Sequence, residues 1–135
     1  MVTVSDSVPP ERRAVLIVDD DAAVRGALKF SLELEGFDVR IYDRGEALLA
    51  DHDLPANGCL VVDYRMPGMN GLELIDHLRD RSVELPAILI VSDHPSQKLR
   101  RLAQRSGVQD VLEKPLSDSA LIESIRHALV IPARP

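Results

Sequence analysis

Four places along this chain carry side chains that could do chemistry together. Three acids, Asp19, Asp20 and Asp21, directly follow the apolar run Ala14–Val18. Another acid, Asp63, closes the apolar run that begins at Cys59 and Leu60 and continues through Val61 and Val62; Pro67, Gly68 and Gly71 come after it. A hydroxyl, Ser92, follows the run Ala87–Val91, and Lys114 follows Asp110–Leu112 and Glu113. Taken singly these residues have plain explanations: an acid after a strand caps a helix or ties a turn, and a lysine or serine is commonly just exposed. Taken together they describe one site. Clustered carboxylates repel, and one holds its proton at neutral pH unless a cation neutralises the group. Oxygen ligands suit magnesium, which prefers few carboxylates together with waters and a phosphate oxygen. With Lys114 as a point charge for a phosphoryl oxygen and Ser92 as a hydroxyl, the set reads as a phosphoryl-transfer site. Asp63 is its nucleophile, since an aspartate can form an acyl phosphate.

For these residues to meet, the elements bearing them must lie side by side. The polar stretch before Ala14 reads as a loose leader over residues 1–13. After the acid cluster the spacing turns helical, with Val24, Ala27, Leu28, Ser31 and Leu34 as an inward stripe and Gly36 as its C-cap. Phe37–Tyr42 alternates as a second strand, and a short helix over 44–51 follows. Pro55, Asn57 and Gly58 then turn the chain into the strand that ends at Asp63. Asn70 caps a third helix bearing Leu74, Ile75 and Leu78. Ala87–Val91 is a fourth strand, and Leu99, Leu102, Ala103 and Ser106 mark a fourth helix closed by Gly107. A brief strand over Asp110–Leu112 precedes a last helix, capped by Ser117, with Leu121, Ile122, Ile125, Ala128 and Leu129 on one face. Five such alternations predict a doubly wound α/β fold: a flavodoxin-like parallel sheet in the order 2-1-3-4-5, with five helices. That order sets the first and third strands together, so Asp19, Asp20 and Asp63 converge at the switch point.

Composition bounds the rest. A chain of 135 residues fits one domain, here over 14–130, with a short tail over 131–135. With 45% hydrophobic and 28% charged residues it has the makeup of a globular protein. A net charge of -6 argues against direct nucleic-acid binding. Its one cysteine, Cys59, cannot form an internal disulfide. No run is long enough to span a bilayer and no secretory pattern opens the chain, so a cytoplasmic protein without membrane contact is expected.

The motifs LIVDDD, VVDYRMPGMNG, Ser92 after the fourth strand and EKP after the fifth resemble the receiver domain of two-component response regulators, over nearly all of Ala14–Leu129. The wording RMPGMNG and EKP is most similar to receivers that precede helix-turn-helix output domains, and no such domain is found within these residues. The resemblance implies that Asp63 accepts a phosphoryl group from a histidine kinase, and that Asp19 and Asp20 organise magnesium. Arg65, two beyond the acceptor, would lend its backbone carbonyl to the metal. Ser92 matches the switch hydroxyl, Lys114 the lysine that pairs with the phosphoryl group, and Lys114–Pro115 a cis bond. Such a protein catalyses its own phosphorylation and dephosphorylation but is not an enzyme with a separate substrate.

Two positions depart from that pattern. Asp93 stands where the family usually has Ala or Gly, a fourth acid expected to slow entry of an anionic donor. Val111 stands where the fifth strand usually carries a switching aromatic. Both favour the alternative of a receiver-like interaction module that works without phosphorylation, which the complete set of acids and lysine disfavours. A metal-dependent phosphohydrolase would want a second acid two residues beyond Asp63, where Arg65 stands instead. His52, His77, His94 and His127 lack metal spacing, and only His94 falls near Ser92. Lys98, Arg101 and Arg105 share one face of the fourth helix, with Asp110, Glu113, Asp118 and Glu123 downstream. That pairing of charges predicts a phosphorylation-favoured homodimer through helix four and strand five, or failing that a protein partner or output domain outside this chain.

Overall fold

A computed structural model describes residues 13–130; the expected leader, apart from Arg13, and the expected tail lie outside the described residues. In chain order the elements are β1 (Ala14–Val18), α1 (Ala22–Leu34), β2 (Asp38–Tyr42), α2 (Gly45–Leu49), β3 (Gly58–Asp63), α3 (Gly71–Asp80), β4 (Ala87–Val91), α4 (Gln97–Arg105), β5 (Val108–Glu113) and α5 (Asp118–Val130). The strands are all parallel, in the order β2-β1-β3-β4-β5. This is the flavodoxin-like topology expected from the alternation. β1, β3 and β4 are buried along their whole length, which is why they read as unbroken apolar runs.

Side chains alternate between the two faces of the sheet. Leu16, Val18, Leu60, Val62, Leu89 and Val91 pack with Leu48 of α2, Leu74, Ile75 and Leu78 of α3 and Ala103 of α4. Val15, Ile17, Cys59, Val61, Ile88 and Ile90 pack with Leu32 of α1 and with Leu121, Ile125, Ala128 and Leu129 of α5. Local chemistry starts the helices. The Asp21 carboxylate accepts from the Ala23 and Val24 amides, Asn70 and Glu73 form a reciprocal capping box, Ser96 caps α4, and the Ser117 hydroxyl accepts from the Ala120 amide.

Three expectations need correction. The inward row of α1 is Val24, Leu28 and Leu32; Ala27 is exposed and Leu34 is 71% exposed. At 100° per residue Leu34 stands about 160° around the helix from Leu32, so the two cannot face the sheet together. β5 runs from Val108 to Glu113, longer than Asp110–Leu112, because an edge strand only half covered by helices places Gln109 and Asp110 toward water and hides its period. In α4, Leu102 keeps 38% of its surface exposed and Ala103 alone is buried.

One cation organises the end of the sheet away from Asp63. Arg79 donates from Nε to the Ser106 carbonyl (3.0 Å), from Nη1 to the Val83 and Leu85 carbonyls (2.8 Å each) and from Nη2 to the Gly107 carbonyl (3.3 Å). The planar fork thereby joins the end of α3, the approach to β4 and the turn before β5, where Gly107 takes a positive φ of 76°. Lysine cannot reproduce that geometry. Arg79→Ala is expected to lower unfolding free energy by about 2–4 kcal/mol, since it strips a charged donor from several carbonyls. Arg79→Lys should recover less than half of the loss; urea titration of the three proteins measures both.

Candidate functional site

The chemistry-bearing residues share a face because each continues an established strand parity by one step. Ile17 and Val61 are register partners on the α1/α5 face, and two residues further on each strand come Asp19 and Asp63. Ile90 and Leu112, also partners on that face, are followed at the same interval by Ser92 and Lys114. The side-chain period of two thus brings the four positions to one edge of the sheet. The ladder persists to this edge: the Tyr64 amide donates to the Ile90 carbonyl and the Lys114 amide to the Val91 carbonyl, both at 2.8 Å.

Carboxylate oxygens of Asp19, Asp20 and Asp63 lie within 4.8 Å of one another. Asp19 and Asp63 are buried and Asp20 is exposed. Lys114 Nζ stands 3.7 Å from Asp63 Oδ1 and 4.0 Å from Asp19 Oδ2. Asp21 is not a fourth member, being engaged as the cap of α1. Asp19 Oδ1 accepts the Asp21 amide at 2.9 Å, whereas Asp63 Oδ1 is buried and has no hydrogen-bond partner. Burial, and then the neighbouring Asp19 charge, push the Asp63 pKa up to about 6, against the opposing pull of Lys114. Asp19 is raised too, chiefly by burial, with the Asp21 amide and Lys114 opposing. One lysine therefore leaves the buried acids under-compensated. A hard divalent cation fits this donor set: oxygen ligands only, one of them an orphaned buried oxygen.

The loop after Asp63 is tightly seated. A Cβ at Gly71 would lie 2.5 Å from the Asp63 carbonyl oxygen and 2.9 Å from Val62 Cγ1, so only glycine lets α3 start this close to the acid. Its amide donates to the Tyr64 carbonyl at 2.9 Å. Ser92 sits exposed at the first position beyond β4, with no hydrogen bond among the described residues. The Lys114–Pro115 bond is cis. Cys59 is fully buried and its thiol is pushed up to about 12 by that burial, which suits a core residue and not a redox sensor.

Sequence reasoning missed three contacts here. Arg25 Nη1 donates to the Asp19 backbone carbonyl at 2.7 Å. Asp93, expected as an unpaired acid at the rim, is ion-paired with the side chain of Arg65 at 3.2 Å. His94 Nδ1 lies 3.4 Å from Glu113 Oε1. The signal for Arg25 was its place six residues beyond Asp19 in the first turns of α1; the other two pairs join separate loops and had no local signal.

A doubly wound sheet with clustered acids and a lysine at its switch point defines a class of phosphate-handling α/β proteins, and comparison narrows it. The chain belongs to the response regulator receiver domain family, which matches it over residues 15–126, and so to two-component signalling. It is 40% identical over 114 residues to the transcriptional regulatory protein FixJ of Rhizobium meliloti (strain 1021), covering 84% of this chain and 55% of that protein. It is 39% identical over 117 residues to the C4-dicarboxylate transport transcriptional regulatory protein DctD of Pseudomonas aeruginosa, covering 87% of this chain and 25% of that one. The crystal structure of FixJ-N superposes with a TM-score of 0.77 at 40% identity, over 86% of this chain and 92% of that one. The chain thus spans about half, or less, of the length of these curated relatives.

The raised Asp63 pKa fixes the sign of a pH effect. Because the folded state binds the proton more tightly, Asp63 favours folding at low pH, and that contribution is lost as pH rises from 3.8 to about 6. In chelator at pH 7.5, Asp63→Asn is expected to raise unfolding free energy, by at most about 3 kcal/mol. The gain should vanish below pH 4, where Asp63 is protonated. Urea denaturation at both pH values checks this; an equal gain at both would assign the effect to packing.

Proposed function

We infer that this chain is a phosphorylation-operated switch in which Asp63 takes a phosphoryl group from the phosphohistidine of a kinase, with Asp19, Asp20, Ser92 and Lys114 as its partners. The single observation that carries the reading is the buried, unpartnered Asp63 Oδ1 facing Lys114 at 3.7 Å. Such an oxygen is short of solvation and available as a nucleophile, with a cation beside it for the incoming anion. The carboxylates of Asp19, Asp20 and Asp63 and the Arg65 carbonyl would hold magnesium. Bound there, it would supply the charge neutralisation that lets an anion approach three acids.

In the transfer, an Asp63 carboxylate oxygen forms a bond to phosphorus as the bond to the donor nitrogen or acyl oxygen breaks. The leaving group departs with the electron pair. Lys114 pairs with a phosphoryl oxygen, and the Ser92 hydroxyl donates to another once the loop after β4 moves inward. Hydrolysis of the acyl phosphate by water resets Asp63, so the protein acts on itself and on no separate substrate. No helix among the described residues is long and apolar enough to cross a membrane. That and the net charge of -6 fit a cytoplasmic protein that does not itself bind nucleic acid through this domain.

Intact-mass spectrometry tests the assignment. With acetyl phosphate and magnesium the chain is expected to gain one phosphate, and Asp63→Asn or excess chelator should abolish the gain. A phosphate still carried by the Asn variant would place the acceptor elsewhere.

Output would run through α4 and β5. Lys98, Arg101 and Arg105 are exposed and have no ion-pair partner among the described residues, while Asp110, Glu113, Asp118 and Glu123 bring exposed acids to the adjoining surface. Opposite charges on one surface are self-complementary across a two-fold axis. A weak homodimer favoured by phosphorylation follows, with an acidic partner surface or an output domain as the other reader. Each exposed pair contributes about 1 kcal/mol or less, so the dimer should weaken with salt. Sedimentation with beryllofluoride and magnesium is expected to detect it at low salt, and Arg101→Glu to reduce it. A monomer at every concentration and salt would exclude the dimer.

A further inference from the structure

Consecutive residues of the loop after β4 are tied to opposite flanks of the site. Asp93 Oδ2 lies 3.2 Å from Arg65 Nη2 in the loop after β3, and His94 Nδ1 lies 3.4 Å from Glu113 Oε1, next to Lys114. Ser92 is the residue just before both ties, so it cannot move toward Asp63 without loosening or dragging them. The Arg65–Asp93 pair is also wet, with the two side chains 74% and 79% exposed. An exposed pair of this kind is weakly held, so exchanging its partner is easy.

A phosphoryl group on Asp63 would offer Arg65 a better acceptor. It carries more negative charge than a carboxylate, and its oxygens match the planar guanidinium fork, a geometry lysine cannot present. Arg65 is two residues along the loop from Asp63, and its cation is the side-chain charge nearest Asp93. Resting on the reading of Asp63 as phosphoacceptor, we propose that Arg65 is a phosphoryl-positioning residue held in reserve by Asp93. As the phosphoryl group arrives, the guanidinium leaves Asp93 for a phosphoryl oxygen and keeps all its protons. The freed Asp93 lets the loop follow Ser92 inward. Val111, half-buried and without a ring, is then no obstacle to output, because a polar exchange at the pocket mouth carries occupancy to the start of α4.

This differs from Asp93 acting only by repelling anionic donors, and a double-mutant cycle separates the two. The phosphorylation rate by acetyl phosphate and magnesium would be followed by intact mass for wild type, Asp93→Asn, Arg65→Gln and the double variant. Asp93→Asn is expected to speed the reaction roughly two- to fivefold and Arg65→Gln to slow it by a similar factor, the range set by exposed ion pairs. The double variant should be no faster than Arg65→Gln. Equal acceleration by Asp93→Asn in both backgrounds overturns the proposal in favour of plain repulsion, and so does an Arg65→Gln rate equal to wild type. As a second readout, the Arg65 guanidinium 15N resonance should shift when beryllofluoride and magnesium are added; an unmoved resonance overturns the proposal as well. Wild-type protein that gains no phosphate would overturn the reading of Asp63 together with this one, whereas normal wild-type labelling with a null cycle overturns this one alone.

Discussion

The structure turns on two carboxylates buried side by side with one lysine to share. Asp19 and Asp63 are nearly inaccessible, and Lys114 approaches both without closing a tight bond to either. Burial of ionised groups is unfavourable unless they are paired and hydrogen-bonded, and here Asp63 Oδ1 is neither fully paired nor bonded. The fold tolerates this because β1, β3 and β4 are apolar throughout and supply the stability that the edge gives up. On the function proposed above, this unfavourable placement would make the site useful, since a fully satisfied aspartate would have little reason to take up a cation or an electrophile.

Everything close to the acids is rigidly built. Gly71 lets α3 start against the Asp63 carbonyl, Met66 and Leu72 in and after the loop are buried, and Asp21 and Arg25 hold the first turns of α1 beside Asp19. Positioning of a reacting group to within a fraction of an ångström needs such support from its neighbours. The β4–β5 side is different. α4 buries only Ala103, β5 has no buried position, and the loop between β4 and α4 is tied at its start by the Arg65–Asp93 ion pair and the His94–Glu113 contact, both at the surface. Few buried apolar contacts put α4, β5 and the loop before α4, though not the fully buried β4, at the low end of local stability. At the far end of the same elements Arg79 clasps four carbonyls.

Family membership and site geometry speak to different questions. The receiver match and the FixJ-N superposition establish the kind of domain and its signalling context. The pairing of Asp93 with Arg65 is a feature of this chain's own structure, and it changes what an acid at that position means: a charge already neutralised in part, not a bare barrier to anions.

The sequence by itself pointed to the strand order through its five strand and helix alternations, and to Asp19, Asp63 and Ser92 because each closes or follows an apolar run; Lys114 follows Glu113 at the end of a strand whose period is hidden. Helix starts were legible for the same local reason, a capping side chain three residues or fewer from the amide it serves, as with Asn70 and Ser117. What the tertiary structure decided was everything joining residues distant in the chain. Arg65 meets Asp93 across 28 positions and Arg79 meets Gly107 across 28, and no local pattern marks either. The burial of α1 also needed the fold. Leu32 and Leu34 are equally apolar, and only the helix's angle against the sheet, set by packing on β1 and β2, turned the first inward and left the second in water.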